Sequence, residues 1–411
     1  MTSTTTANWT SPALPLAPLL AEKKVLVCVG SGGVGKTTTA AALALLASTL
    51  GRRALVITID PAKRLANSLG LDGLSHTPKT LPRELLEQAG LQPTADVDAM
   101  MLDLQAAWDD LLARVSPDDD MREKLMQNRF YLHLTRDLPG AQEFVACEAL
   151  QTLLDKGIYD VVILDTPPTS NALDFLEAPS RILDFLENEA LRKFYGSTFK
   201  KGGKRDGESG FASKMGLKFL DGAAGVVQAG IAKITGQKVL EDLGDFLGLI
   251  RDFVEPLKER TRAFQTLLRS NDARFVVVTA PEAATLNEAL HFTKELQDRQ
   301  LPLAGVVVNR VMPAVEASWL GLEPEQLQAR IEALPSPPAA PRPLSPQELS
   351  YSFQGAVLEQ QALADRDQHA IAGFVQKLST GTAVTTVERQ QGDVADVQRL
   401  AQLLPQLAGR D

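Results

Sequence analysis

The sequence predicts an α/β fold with a doubly wound, mainly parallel sheet and an inserted α-helical subdomain. Short apolar runs are typical of strands buried on both faces, and helical patterns separate them. The spacing is uneven, because about a hundred residues lie between the second and third runs and again between the third and fourth. The five runs are Val25–Val29, Ala54–Ile59, Val161–Leu164, Phe275–Thr279 and Val306–Val308.

The long gaps divide the chain into a sheet core and a helical subdomain. We assign the core to residues 21–96, 158–180 and 272–411 and the helical subdomain to residues 97–157 and 181–271. The helical patterns in the gaps include Val97–Val115, Ala141–Lys156 and Gln237–Arg269.

Three further segments are predicted to be irregular. Residues 1–20 are rich in Thr, Ala and Pro, without Lys or Arg, which predicts a flexible tail lacking the basic region of a signal peptide. Residues 200–210 are rich in Gly and Lys and indicate a linker. The proline-rich stretch at residues 335–346 predicts an extended linker within the core.

Composition excludes several functional classes. The 411 residues carry a net charge of −9, which argues against nucleic acid as a partner. Cys28 and Cys147 are the only cysteines, and the four histidines are scattered, so neither a disulfide framework nor a cysteine zinc site is expected. No apolar run approaches the roughly 18 residues that cross a bilayer. We therefore expect a cytoplasmic protein, at most peripherally attached to a membrane.

A phosphate-binding loop follows the first predicted strand. Gly30, Gly35, Lys36 and Thr37 fit G-x-x-x-x-G-K-[ST] between an apolar run and an Ala/Leu-rich helix. Backbone amides in such a loop cradle phosphates, the lysine reaches the β- and γ-phosphates, and the threonine binds Mg²⁺. The predicted ATP-binding residues of the loop are Gly32, Gly33, Val34, Gly35, Lys36, Thr37 and Thr38.

Asp165 ends the third apolar run and precedes Thr166-Pro167-Pro168-Thr169. An aspartate at a strand end is often only a turn or helix cap. Beside a phosphate-binding loop, its carboxylate is predicted to be a second Mg²⁺ ligand with Thr37. The segment after it is predicted to be a switch loop that senses the γ-phosphate.

Asp60 has two interpretations. Followed by Pro61, it fits an ordinary helix start with an aspartate N-cap. It also ends a strand beside the phosphate loop, where its carboxylate would position or deprotonate the attacking water. We therefore name Lys36 and Asp60 as candidate catalytic residues.

These segments resemble the ArsA-type ATPases, which include arsenite-pump ATPases and ATPases that target tail-anchored membrane proteins. The likeness is specific at Gly30–Thr38, Thr58–Ala62 and Asp165–Thr169 and weaker at two later segments. It implies an ATPase with Mg²⁺ as cofactor and an adenine-reading role for Asn309. Residues 387–393 correspond to a loop that closes over adenine.

The sequence departs from the family pattern at Ser31. Members of the family usually carry there a second lysine that reaches the partner's nucleotide across a homodimer. Whether this chain dimerises around nucleotide is therefore open, and Lys63 or Arg64 could supply a compensating charge. The cysteines that bind arsenite and the zinc-binding cysteine pair of many family dimers also have no counterpart.

The resemblance implies that ATP hydrolysis drives a conformational change used for client-protein targeting or for energising a membrane anion transporter. The apolar segment 215–257 is either a docking place for a hydrophobic client helix or ordinary internal packing. Two alternatives remain open: a positioning ATPase like MinD or ParA, and a nucleotide-binding protein that hydrolyses nothing.

Overall fold

The computed structural model describes most of two compact units. The residues described are 11–60, 62, 64–116, 119–128, 131, 141–166, 255–333, 346–390, 392, 394 and 396–409. The first unit contains the described residues up to Met101, from Tyr159 to Thr166 and from Arg269 onward, and the second contains those from Leu102 to Ile158 and from 255 to Leu268.

The first unit is built on one eight-stranded sheet with the order β3-β4-β2-β5-β1-β6-β7-β8. All neighbours pair in parallel except β3 and β4, which are antiparallel. The strands are β1 (Val25–Val29), β2 (Ala54–Thr58), β3 (Lys79–Thr80), β4 (Val97–Met101), β5 (Val161–Asp165), β6 (Ala273–Thr279), β7 (Leu303–Val311) and β8 (Val384–Glu388). The chain first winds to one side of β1 and later to the other, so the strand order reverses at β1.

The predicted fold class is confirmed, and each of the five apolar runs forms a strand. β1, β2 and β5 are buried along their full length, which parallel strands covered on both faces require. The prediction of a helix from Val97 onward was wrong for its first five residues. Val97–Met101 pairs with β2 in parallel as β4, and the helix begins at Leu104. The first four residues of this segment are buried beside β2, a neighbour that the sequence pattern alone does not reveal.

Helices flank the sheet of the first unit. The helix after β1, Lys36–Thr49, is almost entirely buried and packs against Leu16–Glu22 and Val397–Ala408. Ala283–Asp298 contacts β6 and β7, and Pro346–Val375 contacts β7. The remaining helices of this unit are Arg64–Ser68, Arg83–Gln88, a 3₁₀ turn at Ala317–Trp319 and Pro324–Glu332.

Residues 11–20 are not the flexible tail that composition predicted. Leu14, Leu16 and Leu20 are at most 1% exposed and join the core around the helix Lys36–Thr49. The Val384 amide donates to the Pro12 carbonyl at 2.9 Å. Burial of three leucines outweighs the irregular composition, since each contributes about 1.5–3 kcal/mol when removed from water.

The second unit is helical in its described part. Its helices are Leu104–Val115, Asp119–Gln127, Ala141–Asp155 and residues 255–269, the last of which ends just inside the first unit. Trp108 lies at an aromatic cluster, with its ring centroid 5.7 Å from Phe144 and 6.5 Å from Tyr131. Arg260 donates to the buried carboxylate of Glu148 at 2.5 Å. The pattern at Ala141–Lys156 is thus observed as a helix.

Several predicted segments lie outside the described residues: the linkers at 200–210 and 335–345, Pro167 to Thr169 of the switch loop, and residues 215–254 of the apolar segment. Among the helices that are described, none combines the length and apolar character needed to cross a membrane.

Candidate nucleotide-binding site

The loop after β1 makes a close approach that only glycine permits. Gly35 has φ of 97°, and a Cβ there would lie 2.1 Å from Asn309 Nδ2. Gly30 has φ of 153°, and a Cβ there would lie 2.0 Å from the Val278 carbonyl oxygen. The spacing of these two glycines therefore reflects contact of the loop with β6 and β7 as well as room for phosphates.

Lys36 is folded back on its own loop. Its Nζ donates to the carbonyls of Gly30 and Ser31, each at 2.8 Å. Burial lowers the pKa of Lys36, and the carboxylate of Asp165 acts in the opposite direction. The ammonium group is thus held at the mouth of the loop by two neutral acceptors, which phosphate oxygens can replace with stronger, charge-assisted hydrogen bonds.

Asp165 links the loop helix to two strands. Thr37 Oγ1 donates to Asp165 Oδ2 at 2.7 Å, and Thr58 Oγ1, at the end of β2, donates to the same oxygen at 3.0 Å. Asp165 is 1% exposed. Burial raises its pKa to about 6, against the lowering effect of both hydroxyl donors.

The second oxygen of Asp165 is available to bind a metal ion. Asp165 Oδ1 is buried and has no hydrogen-bond partner among the residues that the structure describes. An ionised, half-satisfied carboxylate next to a threonine hydroxyl suits a hard cation such as Mg²⁺. Among the described residues, no group of three or more His, Cys, Asp or Glu is placed to bind a metal. A Mg²⁺ ion bound by Thr37 and Asp165 would therefore take further ligands from phosphate and water, as this ion commonly does.

Asp60 lies just after β2, facing the same cavity. Its Oδ1 accepts from the Ala62 amide at 2.9 Å, which forms a turn, whereas the next helix begins only at Arg64, so Asp60 is not the helix N-cap of the first interpretation. Its Oδ2 lies 3.9 Å from Arg64 Nη1, and its side chain remains 16% exposed. One carboxylate oxygen thus holds the turn, while the other faces an arginine at the cavity.

Asn309 contacts the phosphate loop directly. It is 8% exposed at the end of β7, and its Nδ2 donates to the Val34 carbonyl at 2.9 Å. In this structure the side-chain amide braces the loop. The next residue, Arg310, has φ of 62°, a conformation that residues other than glycine rarely adopt.

These groups surround one cavity of about 810 Å³. Such a volume lies within the usual range of small-molecule sites. Among the predicted site residues, Gly33, Gly35, Lys36, Thr37, Thr38, Asp60 and Asn309 line it. Val34 is buried and Gly32 is exposed, and neither lines this cavity, whereas Asp165 reaches it through Thr37. Of the 387–393 loop, Glu388, Arg389, Gln390 and Gly392 line the cavity.

Ser31 is engaged within its own chain. Its Oγ donates to the carboxylate of Glu288 on the helix Ala283–Asp298. The position at which the family resemblance implies a lysine is therefore occupied by a neutral donor that meets an acidic side chain.

One residue of the site, Thr58, was missed as a functional group in the sequence. Thr58 bonds both Asp165 and the Asp60 amide, at 3.0 and 3.2 Å. Its signal was a polar residue inside an apolar strand, two positions before Asp60. Arg64 was noted only as an alternative to Lys63, and Lys63 lies outside the described residues.

The sequence also resembles that of known proteins. Residues 23–213 match a family model described as anion-transporting ATPase, ArsA type. An ATPase GET3 of Malassezia globosa is 27% identical over 316 residues, covering 76% of this chain and 80% of that protein. An ATPase ASNA1 homolog 1 of Paramecium tetraurelia is 24% identical and covers 69% of this chain and 73% of its own.

A third relative is a putative arsenical pump-driving ATPase of Halobacterium salinarum. It is 29% identical, but the matched region covers 45% of this chain and only 28% of that protein. The three relatives and the family model agree on one class of enzyme. The comparisons therefore identify this chain as similar to the ArsA-type ATPases and support an ATPase of that type.

Proposed function

We propose that this chain hydrolyses Mg²⁺-ATP at the cavity beside β1 and uses the nucleotide cycle to bind and release a hydrophobic client protein. The observation that carries the hydrolytic part is the Asp165 carboxylate, buried with one unpartnered oxygen and bonded to Thr37. It lies beneath the loop whose Lys36 ammonium has only carbonyl partners.

The roles of the side chains follow from their positions. Lys36 leaves the Gly30 and Ser31 carbonyls and bonds the β- and γ-phosphates. Thr37 and Asp165 would hold Mg²⁺, which would supply positive charge to neutralise the phosphates. Thr58 keeps Asp165 oriented, since its hydroxyl donates to the oxygen that Thr37 also uses. The amides of Gly33 to Thr38 complete the phosphate cradle.

Asp60 positions the attacking water with its Oδ2 oxygen, since its Oδ1 is held by the Ala62 amide. The water oxygen bonds to the γ-phosphorus as the bond from that phosphorus to the β–γ bridging oxygen breaks. The bridging oxygen keeps the electron pair and leaves with ADP, and the water proton passes to Asp60 or to a phosphate oxygen.

Asn309 braces the loop through Val34 and lines the base end of the cavity with residues of the 387–390 segment. This supports a role in holding the nucleoside of ATP, as the family resemblance implies. The donor to Val34 would remain in place while the amide oxygen of Asn309 is left for the adenine amino group.

Client handling is favoured over the driving of an anion pump by the extent of the likeness. The match to the GET3 relative covers about four-fifths of that protein, whereas the match to the arsenical pump-driving relative covers 28% of it. The two cysteines of this chain, Cys28 and Cys147, are both buried and lie in different units. Burial of both thiols does not suit a thiolate site for arsenite. We place the protein in the cytoplasm, peripheral to a membrane when it delivers its client.

The hydrolytic part is tested with purified protein, ATP and either Mg²⁺ or EDTA. We expect turnover only with Mg²⁺, a loss of at least about 100-fold in Asp60→Asn, and retained ATP binding in that variant. The matched control is Asp96→Asn, a surface aspartate paired with Arg83 outside the cavity. Background turnover in the wild type, or full activity in Asp60→Asn, would contradict the assignment.

The client part is tested by co-expressing Asp60→Asn with a reporter that ends in an apolar helix of about 20 residues. A matched reporter carries two lysines in the middle of that helix. We expect the apolar reporter alone to co-purify, in a nucleotide-dependent manner. Equal recovery of both reporters, or of neither, would contradict client binding. Light scattering with and without Mg²⁺-ATP tests for a homodimer.

A further inference from the structure

We propose that Arg64 is a catalytic residue that stabilises the γ-phosphate from within the same chain, in place of a cation delivered by a second subunit. The inference rests on the proposed ATP hydrolysis. It begins at Ser31, where the family pattern has a lysine for the partner's nucleotide. Here the side chain is a hydroxyl that donates to Glu288 of its own chain, so this position supplies no positive charge to any phosphate.

Arg64 is placed to supply that charge. Together with Lys36, Thr37 and Asp60, it lines the 810 Å³ cavity. Its Nη1 lies 3.9 Å from Asp60 Oδ2, the oxygen assigned to the attacking water. A guanidinium group at this point faces the place where charge develops on the γ-phosphate during in-line attack.

The contact of Arg64 with Asp60 is loose enough to be exchanged. At 3.9 Å it is at the limit of an ion pair, and the Arg64 side chain is 63% exposed. An exposed pair of this kind stabilises the protein little, because water screens the two charges. A phosphate accepts two parallel hydrogen bonds from arginine and carries more charge, so the guanidinium group would move to it when ATP binds. That movement also frees Asp60 Oδ2 for water.

Other cations of the cavity are less suited to this role. Arg366 donates through both Nε and Nη2 to Asp367, at 3.1 and 2.7 Å. Arg310 directly follows Asn309, and Arg389 directly follows β8. Both therefore lie beside the residues that we assign to the nucleoside of ATP. By contrast, Arg64 makes the loose contact with Asp60 described above and lines the cavity together with Lys36.

The test measures kcat and binding in Arg64→Ala and Arg64→Lys. We expect kcat to fall by about 10³-fold in Arg64→Ala, which is the lower end of the effect of an arginine finger. The decrease should be smaller in Arg64→Lys, which keeps the positive charge but lacks the paired N–H donors of the guanidinium group. The affinity for Mg²⁺-ADP should change less than about threefold. The affinity for Mg²⁺-ADP with aluminium fluoride, which mimics the phosphoryl group in flight, should fall in parallel with kcat. Arg83→Ala, which breaks a surface pair with Asp96, should match the wild type.

Two measurements separate action within the chain from action between chains. Turnover per chain of the wild type should stay constant over a 100-fold dilution, and mixing Arg64→Ala with Lys36→Ala should not restore activity. A rise in turnover with concentration, restored activity in the mixture, or an Arg64→Ala variant within threefold of the wild type would each overturn the role of Arg64. A wild-type chain without Mg²⁺-dependent hydrolysis would instead overturn the proposed function along with this inference.

Discussion

The hydroxyl of Thr37 donates to Asp165 Oδ2 across 2.7 Å and joins the start of the phosphate-loop helix to the end of β5. The two residues are 128 positions apart in sequence. They meet because β1 and β5 are parallel neighbours whose carboxyl ends share one edge of the sheet. The contact connects the two residues that we propose as Mg²⁺ ligands.

The raised pKa of Asp165 predicts a pH-dependent stability. Its pKa in the folded protein is about 6, whereas the ordinary pKa of an aspartate is 3.8. Because the folded pKa is the higher one, its contribution to stability is present below about pH 4 and is lost as the pH rises through 6. Asp165→Asn keeps an acceptor oxygen for Thr37 and Thr58 without the charge. We expect this variant, free of ligands, to be more stable than the wild type by about 2–3 kcal/mol above pH 7 and equal to it near pH 4.

Denaturant unfolding at pH 4, 6 and 8 measures this difference. Asp96→Asn, which changes an exposed aspartate, serves as the control and should show no such trend. A constant difference between Asp165→Asn and the wild type at all three pH values would contradict the predicted burial of the charge.

Gly35→Ala is expected to damage the loop by contact as well as by backbone strain. The new Cβ would lie 2.1 Å from Asn309 Nδ2, which is held by Val34. We expect the free energy of unfolding to fall by about 2–4 kcal/mol and ATP affinity to fall at least tenfold. The control is Gly90→Ala, where φ is 80° and no atom lies within 4 Å of the Cβ, so only backbone strain of about 1–2 kcal/mol applies. Equal losses in the two variants would argue against the contact.

Asp98 forms a buried polar cluster in the same unit, outside the cavity. It is 3% exposed on β4, and its Oδ2 accepts from the Tyr159 hydroxyl at 2.8 Å and from Arg53 Nη2 at 3.2 Å. Asp98→Ala leaves both donors without this partner. We expect a loss of about 2–4 kcal/mol in the free energy of unfolding, with kcat unchanged for the protein that remains folded.

The matched control for Asp98 is Asp96→Ala. Asp96 is paired with Arg83 at 3.1 Å, but both side chains are about half exposed. That pair should contribute at most about 1 kcal/mol. Urea unfolding of both variants measures the difference in the free energy of unfolding. Similar losses in the two variants would mean that burial does not increase the stabilisation provided by the Asp98 cluster.

Ser31 and Glu288 should be energetically coupled, since the serine hydroxyl donates to the carboxylate. We expect Ser31→Ala and Glu288→Gln each to cost less than about 1.5 kcal/mol and the double variant to cost less than their sum. A double-mutant cycle of unfolding free energies measures the coupling. Additive losses would show that the two side chains do not interact in solution.

Much of the site was predictable because its residues stand in local patterns. The phosphate loop, Asp60 and Asp165 each follow an apolar strand, and parallel strands bring such ends to one edge of a sheet. Sequence reasoning failed for Val97–Met101 because an apolar segment beside a helix pattern shows no sign of its strand neighbour. It failed for residues 11–20 because the leucines there are buried by a helix distant in sequence.

The sequence by itself determined the chemistry available to this protein: a glycine loop that binds phosphate, a lysine, a threonine and two aspartates at strand ends, and a serine in place of a lysine. Only the tertiary structure decided how those groups are used. It directs the Asn309 amide to Val34, the Ser31 hydroxyl to Glu288 and Arg64 toward Asp60. The physical reason is that the contacts of Asn309 and Ser31 join elements that are far apart in the chain, so their distance depends on how the helices and strands pack.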